Sequence, residues 1–469
     1  MNENGLTPTQ QLAAWAVAQS PATLPSDVLE LAKDCLLDHI AVALHGMNQP
    51  WTRLFADQVT HEAGRPEASV YGRTTKLPVR AAALVNASAA HAFELDAWHG
   101  GSLSHLSACV IPAVLAVAER ERLSGGAVLA AIVAGFEVMA RAGMATIPTL
   151  IIRGFHPTGT HGPIGAAAGV SNLLHLAPAQ ATAAIGIAAS CSGGLMEFSQ
   201  DAQGTMVKRL HAGRSAESGV LAASLAQRGI TAPKSALDGK FGYCKVFSEA
   251  PRIDELTRAL GEDFQIRYIN TKPYACCGAL HAAINAVERL MKEHGFADSD
   301  VASVVFGGND SHMQRHTSAV PDSVMAAQYS IPYAIAVALT GRALDPRMFD
   351  EGAYRDTQLV DLAGRVRMEL HPEVVRAYPE MLGGYVRIGL RDGRVVDKLV
   401  LEARGTIGEP LGRGGIVEKA QALCAPLMDD EAMRALFSLI LDFDSLKDVS
   451  ALAPMLYRAI RSPDRVATA

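Results

Sequence analysis

Residues 26–46 read SDVLELAKDCLLDHIAVALHG, and the spacing of their apolar side chains decides the fold class. Val28, Leu31, Ala32, Cys35, Leu36, Ile40 and Ala43 recur at steps of three and four, which lines one face of a helix. Ser26 or Asp27, just after Pro25, is placed to cap its start, and Gly46 to end it. The same reading predicts helices over 79–93, 110–123, 126–142, 165–176, 179–191 and 214–228. These stretches are rich in Ala and Gly: Ala166, Ala167, Ala168 and Gly169 run together, as do Ala222 and Ala223. Small residues let helix axes approach closely, so these helices are expected to be buried on several sides.

The character changes after about residue 265. Residues 301–306 and 366–370 read as short strands, and 385–390 with 394–401 flank Asp392-Gly393. Two β-rich runs around an Asp-Gly pair predict a hairpin, because Gly393 easily takes positive φ. Helices are expected between them, over 278–294 and 325–339. Residues 417–427 and 430–441 return to helix and point back toward the first half.

The chain has 469 residues, of which 49% are hydrophobic and 19% charged, enough to bury more than one core. Its 42 Lys and Arg against 48 Asp and Glu give a net charge of −6, a poor balance for broad nucleic-acid or acidic-membrane binding. Seven irregularly spaced cysteines without a Cys-x-x-Cys read as reduced thiols rather than a disulfide framework. The polar start MNENGLTPTQQ does not read as a secretory signal. Apolar runs such as 108–118 fall short of the roughly 18–20 residues of a spanning helix. A soluble, cytoplasmic protein is expected.

Four segments carry the polar chemistry. The first, HAFELDAWH over 91–99 with Ser102 and His105, brings three imidazoles and the carboxylates of Glu94 and Asp96 together. A carboxylate beside a histidine orients it and raises its basicity, which suits proton transfer near neutral pH. His, Asp and Glu are also metal ligands, but no His-Glu-x-x-His occurs, and no metal is expected. The alternative is a set of polar residues closing a helix end.

The second, RGFHPTGTHG over 153–162, is broken by Gly and Pro, and the Ala-rich helix is expected to begin near Pro163 or Ile164. N–H groups at a helix start favour an anion, so His156 or Thr158 is placed to touch a carboxylate. The alternative is a surface turn. The third, GTMVKRLHAGR over 204–214, sets Lys208 and Arg214 among small residues. If buried, these cations need anionic partners such as a polycarboxylate substrate. Otherwise the segment is a solvated basic turn. The fourth, TKPYACCGALH over 271–281, opens the second region. Adjacent Cys276 and Cys277 are poor disulfide partners and read as buried structural thiols rather than nucleophiles. Phosphate-loop, Gly-x-Ser-x-Gly and Gly-x-Gly-x-x-Gly patterns are absent.

Taken together, HAFELDAWHGGSLSHLS, RGFHPTGTHGPIGAAA, GTMVKRLHAGRSAESG, KPYACCGALHAAINA and SIPYAIAVAL resemble the MmgE/PrpD family, in order over nearly the whole chain. That family includes 2-methylcitrate dehydratase, cis-aconitate decarboxylase and iminodisuccinate epimerase. The resemblance implies a mainly α protein, with a large all-helical domain from both chain ends (1–265 and 405–469) and a smaller α+β lid domain (266–404). It also implies a homodimer and a cofactor-free site between the domains that takes a small di- or tricarboxylate. By matching motifs, it assigns catalytic roles to Glu94, His105, His156, Lys208, Lys272 and Tyr333. Asp96, His99, Thr158, His161 and Arg214 are expected to contact substrate. The chain departs from the usual pattern at Ala97, Trp98 and Leu106, which lose a carboxylate, add a bulky indole and replace a proline.

The chemistry expected is proton abstraction beside a carboxylate, with Lys208, Lys272 and Arg214 offsetting the enolate-like charge and His105 or His156 moving the proton. Expulsion of β-hydroxide makes this a dehydratase, the leading expectation. Loss of carbon dioxide makes it a cis-aconitate-type decarboxylase, and reprotonation on the opposite face an epimerase. A catalytically silent carboxylate-binding protein is the remaining reading.

Overall fold

The structure is a computed structural model and describes residues 5–62, 64–200, 205–378 and 380–458. Gly204, quoted with the basic segment, lies outside the described residues.

At the centre of the first half is the helix Pro157–Leu173, every residue of which is buried. Gly125–Met144 and Val207–Gln227 pack along it, with Leu106–Glu121 and Pro178–Ser190 closing its remaining sides. The approach is close because the contact points carry almost no side chain. A Cβ on Gly219 would overlap Ala166, and one on Gly165 would overlap Met139. The predicted helix Ser26–Gly46 has the expected bounds, but Pro25 occupies its N-cap and no side chain caps it. Gly46 ends it for a packing reason, since a Cβ there would overlap the Ala89 carbonyl.

Four helices begin four or more residues earlier than the spacing predicts, among them Gly412–Cys424, which starts at Gly412 rather than 417. Leu106–Glu121 starts at Leu106 rather than 110, and Val207–Gln227 at Val207 rather than 214. Pro157–Leu173, expected from Pro163 or Ile164, begins at Pro157. Pro157 takes a first-turn position that needs no N–H. Pro163 then sits inside the helix and leaves the Gly159 carbonyl without its helical donor. The N–H of Gly193 fills that place at 3.3 Å. Gly125–Met144 corrects a second expectation, being long and apolar enough to cross a membrane by composition. Nearly all of it is buried between other helices, and its Glu137 and Arg141 pair inside the core at 2.7 Å.

The second region holds a four-stranded sheet in the order Val366–Leu370, Val301–Gly308, Gly384–Leu390, Val395–Val400. The first pair is parallel and the other two are antiparallel. The predicted hairpin is present, with Tyr385 opposite Leu399 and Gly393 at φ 92°. His281–His294 covers the hairpin strands and packs on Ile331–Leu339. The helix expected over 325–339 is two pieces, Val324–Gln328 and Ile331–Leu339, broken at Tyr329. Ser330 Oγ caps the second piece by accepting from Tyr333 N at 3.0 Å, and Pro332 lies in its first turn.

Two features join the halves. Trp98–His99 pairs antiparallel with Ile269–Asn270, placing Trp98 opposite Asn270. Far along the chain, Gly412–Cys424 packs on Ser26–Gly46. There Lys419 Nζ donates to Asp38 Oδ1 at 2.6 Å and to the Leu95 carbonyl at 2.7 Å. All seven cysteines are free thiols, and Cys276 and Cys277 are not paired.

Candidate active site

The helix Val79–Ala90 ends just before His91, and the chain turns sharply through Glu94 at φ 55°. A side-chain-bearing residue in this left-handed region costs about 1–2 kcal/mol. The contacts of the Glu94 carboxylate offset that cost. Its Oε1 accepts from Lys208 Nζ, from Arg209 Nη1 at 2.7 Å and from the Tyr329 hydroxyl at 3.3 Å. Its Oε2 accepts from Lys272 Nζ at 3.0 Å. Lys208 and Arg209 come from the first turn of Val207–Gln227, and Lys272 follows the strand Ile269–Asn270. All four ionic side chains are only 2–3% exposed.

Burial alone would raise the Glu94 carboxyl, but Lys208, Lys272 and Arg209 together hold it well below the usual range. The two lysines respond in opposite directions. Burial, opposed by Glu94, pushes Lys208 down, with Arg209 and Lys272 adding to the fall. Lys272 is also penalised by burial, but Glu94 and Asp96 outweigh it and raise it. The site therefore holds more buried cation than anion around Glu94, a balance that favours an incoming carboxylate.

Asp96, two residues on, orients imidazoles. Its Oδ2 bonds His91 Nδ1 at 2.6 Å and lies 2.9 Å from His105 Nδ1. Burial would raise this carboxyl, yet His105 and His91 hold it well below its ordinary value. Burial carries His91 down to about 3 against the pull of Asp96. The His91 ring stacks on His156, whose Nδ1 lies 2.8 Å from His211 Nδ1. Burial, then His211, His91 and Lys208 nearby, holds His156 well below its ordinary value. Donor atoms of His91, Asp96 and His105 lie within 4.8 Å of one another, the set among the described residues best placed to hold a metal. Of these, His91 and Asp96 are hydrogen-bonded, and His105 Nδ1 lies at ion-pair distance from the same Asp96 oxygen.

A cavity of about 580 Å³ opens between the helical half and the α+β region. Glu94, His105, His156, Lys208 and Lys272 all face it, so residues from four distant segments share one crevice. Trp98, Cys277 and Tyr329 line it as well. The remaining expected site residues do not. The Tyr333 hydroxyl donates to the Met348 carbonyl inside the core, and Tyr329, one turn earlier, reaches the site instead. Arg214 is solvent-exposed and pairs with Glu217. His161 is buried between Ser104 and Thr146, and His99 against Ser102. Thr158 lies within the Pro157 helix, where its hydroxyl accepts from His105 N at 3.3 Å. Asp96 lies behind His105 rather than on the cavity wall.

The sequence reading assigned no role to Arg209, Tyr329 or His211, and counted His91 among the clustered imidazoles without a role of its own. Arg209 adjoins Lys208, and the helix beginning at Val207 turns both toward Glu94. Pro332 was the available signal for Tyr329: it marks a helix start, which sets the preceding tyrosine in a break and the following one in a packed turn.

The crevice thus gathers buried lysines, an arginine-braced carboxylate and imidazoles beside Asp96, groups that suit binding a carboxylate and moving a proton. Two family models match the chain: the MmgE/PrpD N-terminal domain over residues 10–256, and the MmgE/PrpD C-terminal domain over 274–442. The chain belongs to the MmgE/PrpD family. It is 30% identical to a cis-aconitate decarboxylase of Aspergillus terreus over 97% of both chains. A cis-aconitate decarboxylase-like protein of Aspergillus oryzae is 29% identical over 96% of this chain and 97% of its own. The human cis-aconitate decarboxylase is 24% identical over 92% of this chain and 91% of its own. These relatives favour the decarboxylase expectation over the leading dehydratase one.

Proposed function

We propose that this chain is a carbon–carbon lyase that decarboxylates a small unsaturated tricarboxylate of the cis-aconitate type. The observation that carries the reading is the excess of buried cation, Lys208, Arg209 and Lys272, around the single carboxylate Glu94 at the cavity. The names of the relatives support the choice of substrate.

The chemistry follows from charge. Lys208 and Lys272 hold the carboxylates that stay on the substrate. The bond to a third carboxylate breaks, and carbon dioxide leaves without the electron pair. That pair moves through the alkene onto the carbon next to a retained carboxylate, where the lysines stabilise the enolate-like charge. One of the cavity imidazoles, His105 or His156, then delivers a proton to that carbon. Trp98 packs against Gly278 on the cavity wall.

Incubating the protein with cis-aconitate in deuterated water, followed by NMR and carbon dioxide release, tests this. One deuterium on carbon per carbon dioxide is expected. Alkene formation from 2-methylcitrate without carbon dioxide from cis-aconitate would overturn the reading in favour of dehydration. Deuterium exchange alone would indicate epimerisation. No turnover and no stabilisation by any carboxylate would indicate a silent protein.

A further inference from the structure

Decarboxylation of a carboxylate consumes one proton per turnover: R–COO⁻ + H⁺ gives R–H + CO₂. A cleft that carries out this reaction must take up that proton from solvent each cycle, which dehydration and epimerisation need not do. This inference rests on the decarboxylase reading above.

Three imidazoles line the cavity. His316 Nδ1 bonds the Tyr329 carbonyl at 2.7 Å. Of His105 and His156, only the second has a polar chain leading outward among the described residues. The His105 Nδ1 faces Asp96, an acceptor when ionised, and Asp96 already takes the His91 Nδ1. In that tautomer a neutral His105 presents its Nε2 lone pair to the cavity and is an acceptor there. His156 differs, since its Nδ1 meets His211 Nδ1 at 2.8 Å. One nitrogen of that pair must donate and the other accept. With His211 donating, His156 carries its proton on Nε2. His211 lies on the Val207 helix beyond the cavity lining, is only half-buried, and packs beside Phe198 and the Gly194 loop.

We propose that His211 is the proton-entry residue of this enzyme, passing solvent protons through His156 to the substrate carbon. A proton adds to His211 Nε2, and the proton on Nδ1 crosses to His156 Nδ1. His156 then gives its Nε2 proton to the carbon that holds the electron pair left by carbon dioxide. Both rings end neutral, each with its proton on the other nitrogen, and the tautomers reset before the next cycle. The assignment makes His156 the acid and leaves His105 as an orienting acceptor.

The experiment compares wild type with His211→Ala and His211→Asn, using cis-aconitate at low and high buffer concentration. Asn places an amide where Nδ1 lies and keeps the bond to His156, yet it carries no relayable proton. The expected result is kcat about tenfold or more lower in both variants at low buffer, with little change in KM. Added imidazole restores kcat in a saturable way. Recovery of kcat by Asn alone would reduce His211 to a positioning residue and overturn the proposal. So would a loss of kcat independent of buffer and imidazole in two variants whose thermal midpoints match wild type. If Ala unfolds the protein, Asn decides. A wild type that releases no carbon dioxide sinks the decarboxylase reading itself, whereas normal decarboxylation with unaffected variants sinks only the relay.

Discussion

Glu94 is one carboxylate held by three cations, so deleting either side of that arrangement has unequal effects. Glu94→Gln leaves Lys208, Arg209 and Lys272 buried and facing one another, and losing one partner of a buried ion group costs about 3–5 kcal/mol. The thermal midpoint of that variant is expected to fall and to recover partly on adding citrate, whose carboxylates replace the missing charge. Lys208→Ala leaves Glu94 with Arg209 and Lys272, so the fold is expected to hold while kcat/KM falls about 10²-fold or more. The two tyrosines separate cleanly. Tyr329→Phe should lower kcat/KM with little change in stability, and Tyr333→Phe, which strips a donor from the Met348 carbonyl, should do the reverse. At this scale the sequence showed which residue types would meet, because buried lysines demand anions. It did not show which of two tyrosines, or which neighbouring cation, the backbone would turn inward.

At the scale of helices, contact geometry sets the boundaries more than propensity does. Ser26–Gly46, Val366–Leu370, Asp430–Leu441 and the hairpin around Gly393 were legible because local residue pattern and turn chemistry agree with the structure there. The start of the Pro157 helix was hidden because Gly159, Gly162 and Pro163 read locally as a turn. Only a distant loop, through Gly193, supplies the donor that Pro163 lacks. Where glycine marks contact rather than flexibility, substitution is costly. Gly46→Ala forces a methyl against the Ala89 carbonyl, and urea denaturation should show a loss of about 1–3 kcal/mol with an unchanged m-value.

Across the whole molecule, the core is dense enough to hold histidines in their neutral form. Burial carries His39, His161 and His281 from the ordinary 6.5 down to about 3, and His45 to about 4. Between pH 6.5 and about 4 the unfolded chain binds these protons and the folded chain does not. Their contribution to stability is complete above about 6.5 and is lost as pH falls toward the folded values. Urea midpoints measured from pH 7.5 to 4.5 should therefore decline steadily below about 6.5, and a flat profile would contradict the burial of these rings. The depressed carboxyls of Glu94 and Asp96 prolong the decline at lower pH. The helical character of the first half and the change near residue 265 were visible from periodicity alone. The crevice was not, since it exists only where His105, His156, Lys208 and Lys272 are brought from four segments to one opening.

The grip of Lys419 on Asp38 and on the Leu95 carbonyl has a consequence for biosynthesis. Leu95 lies between the two carboxylates that organise the crevice, yet the ammonium that steadies it emerges from the ribosome more than three hundred residues later. A nascent polypeptide halted after residue 405 already owns every side chain facing the cavity but lacks the clasp behind it. The clasp therefore closes only once the segment around Lys419 has folded back across the earliest helices.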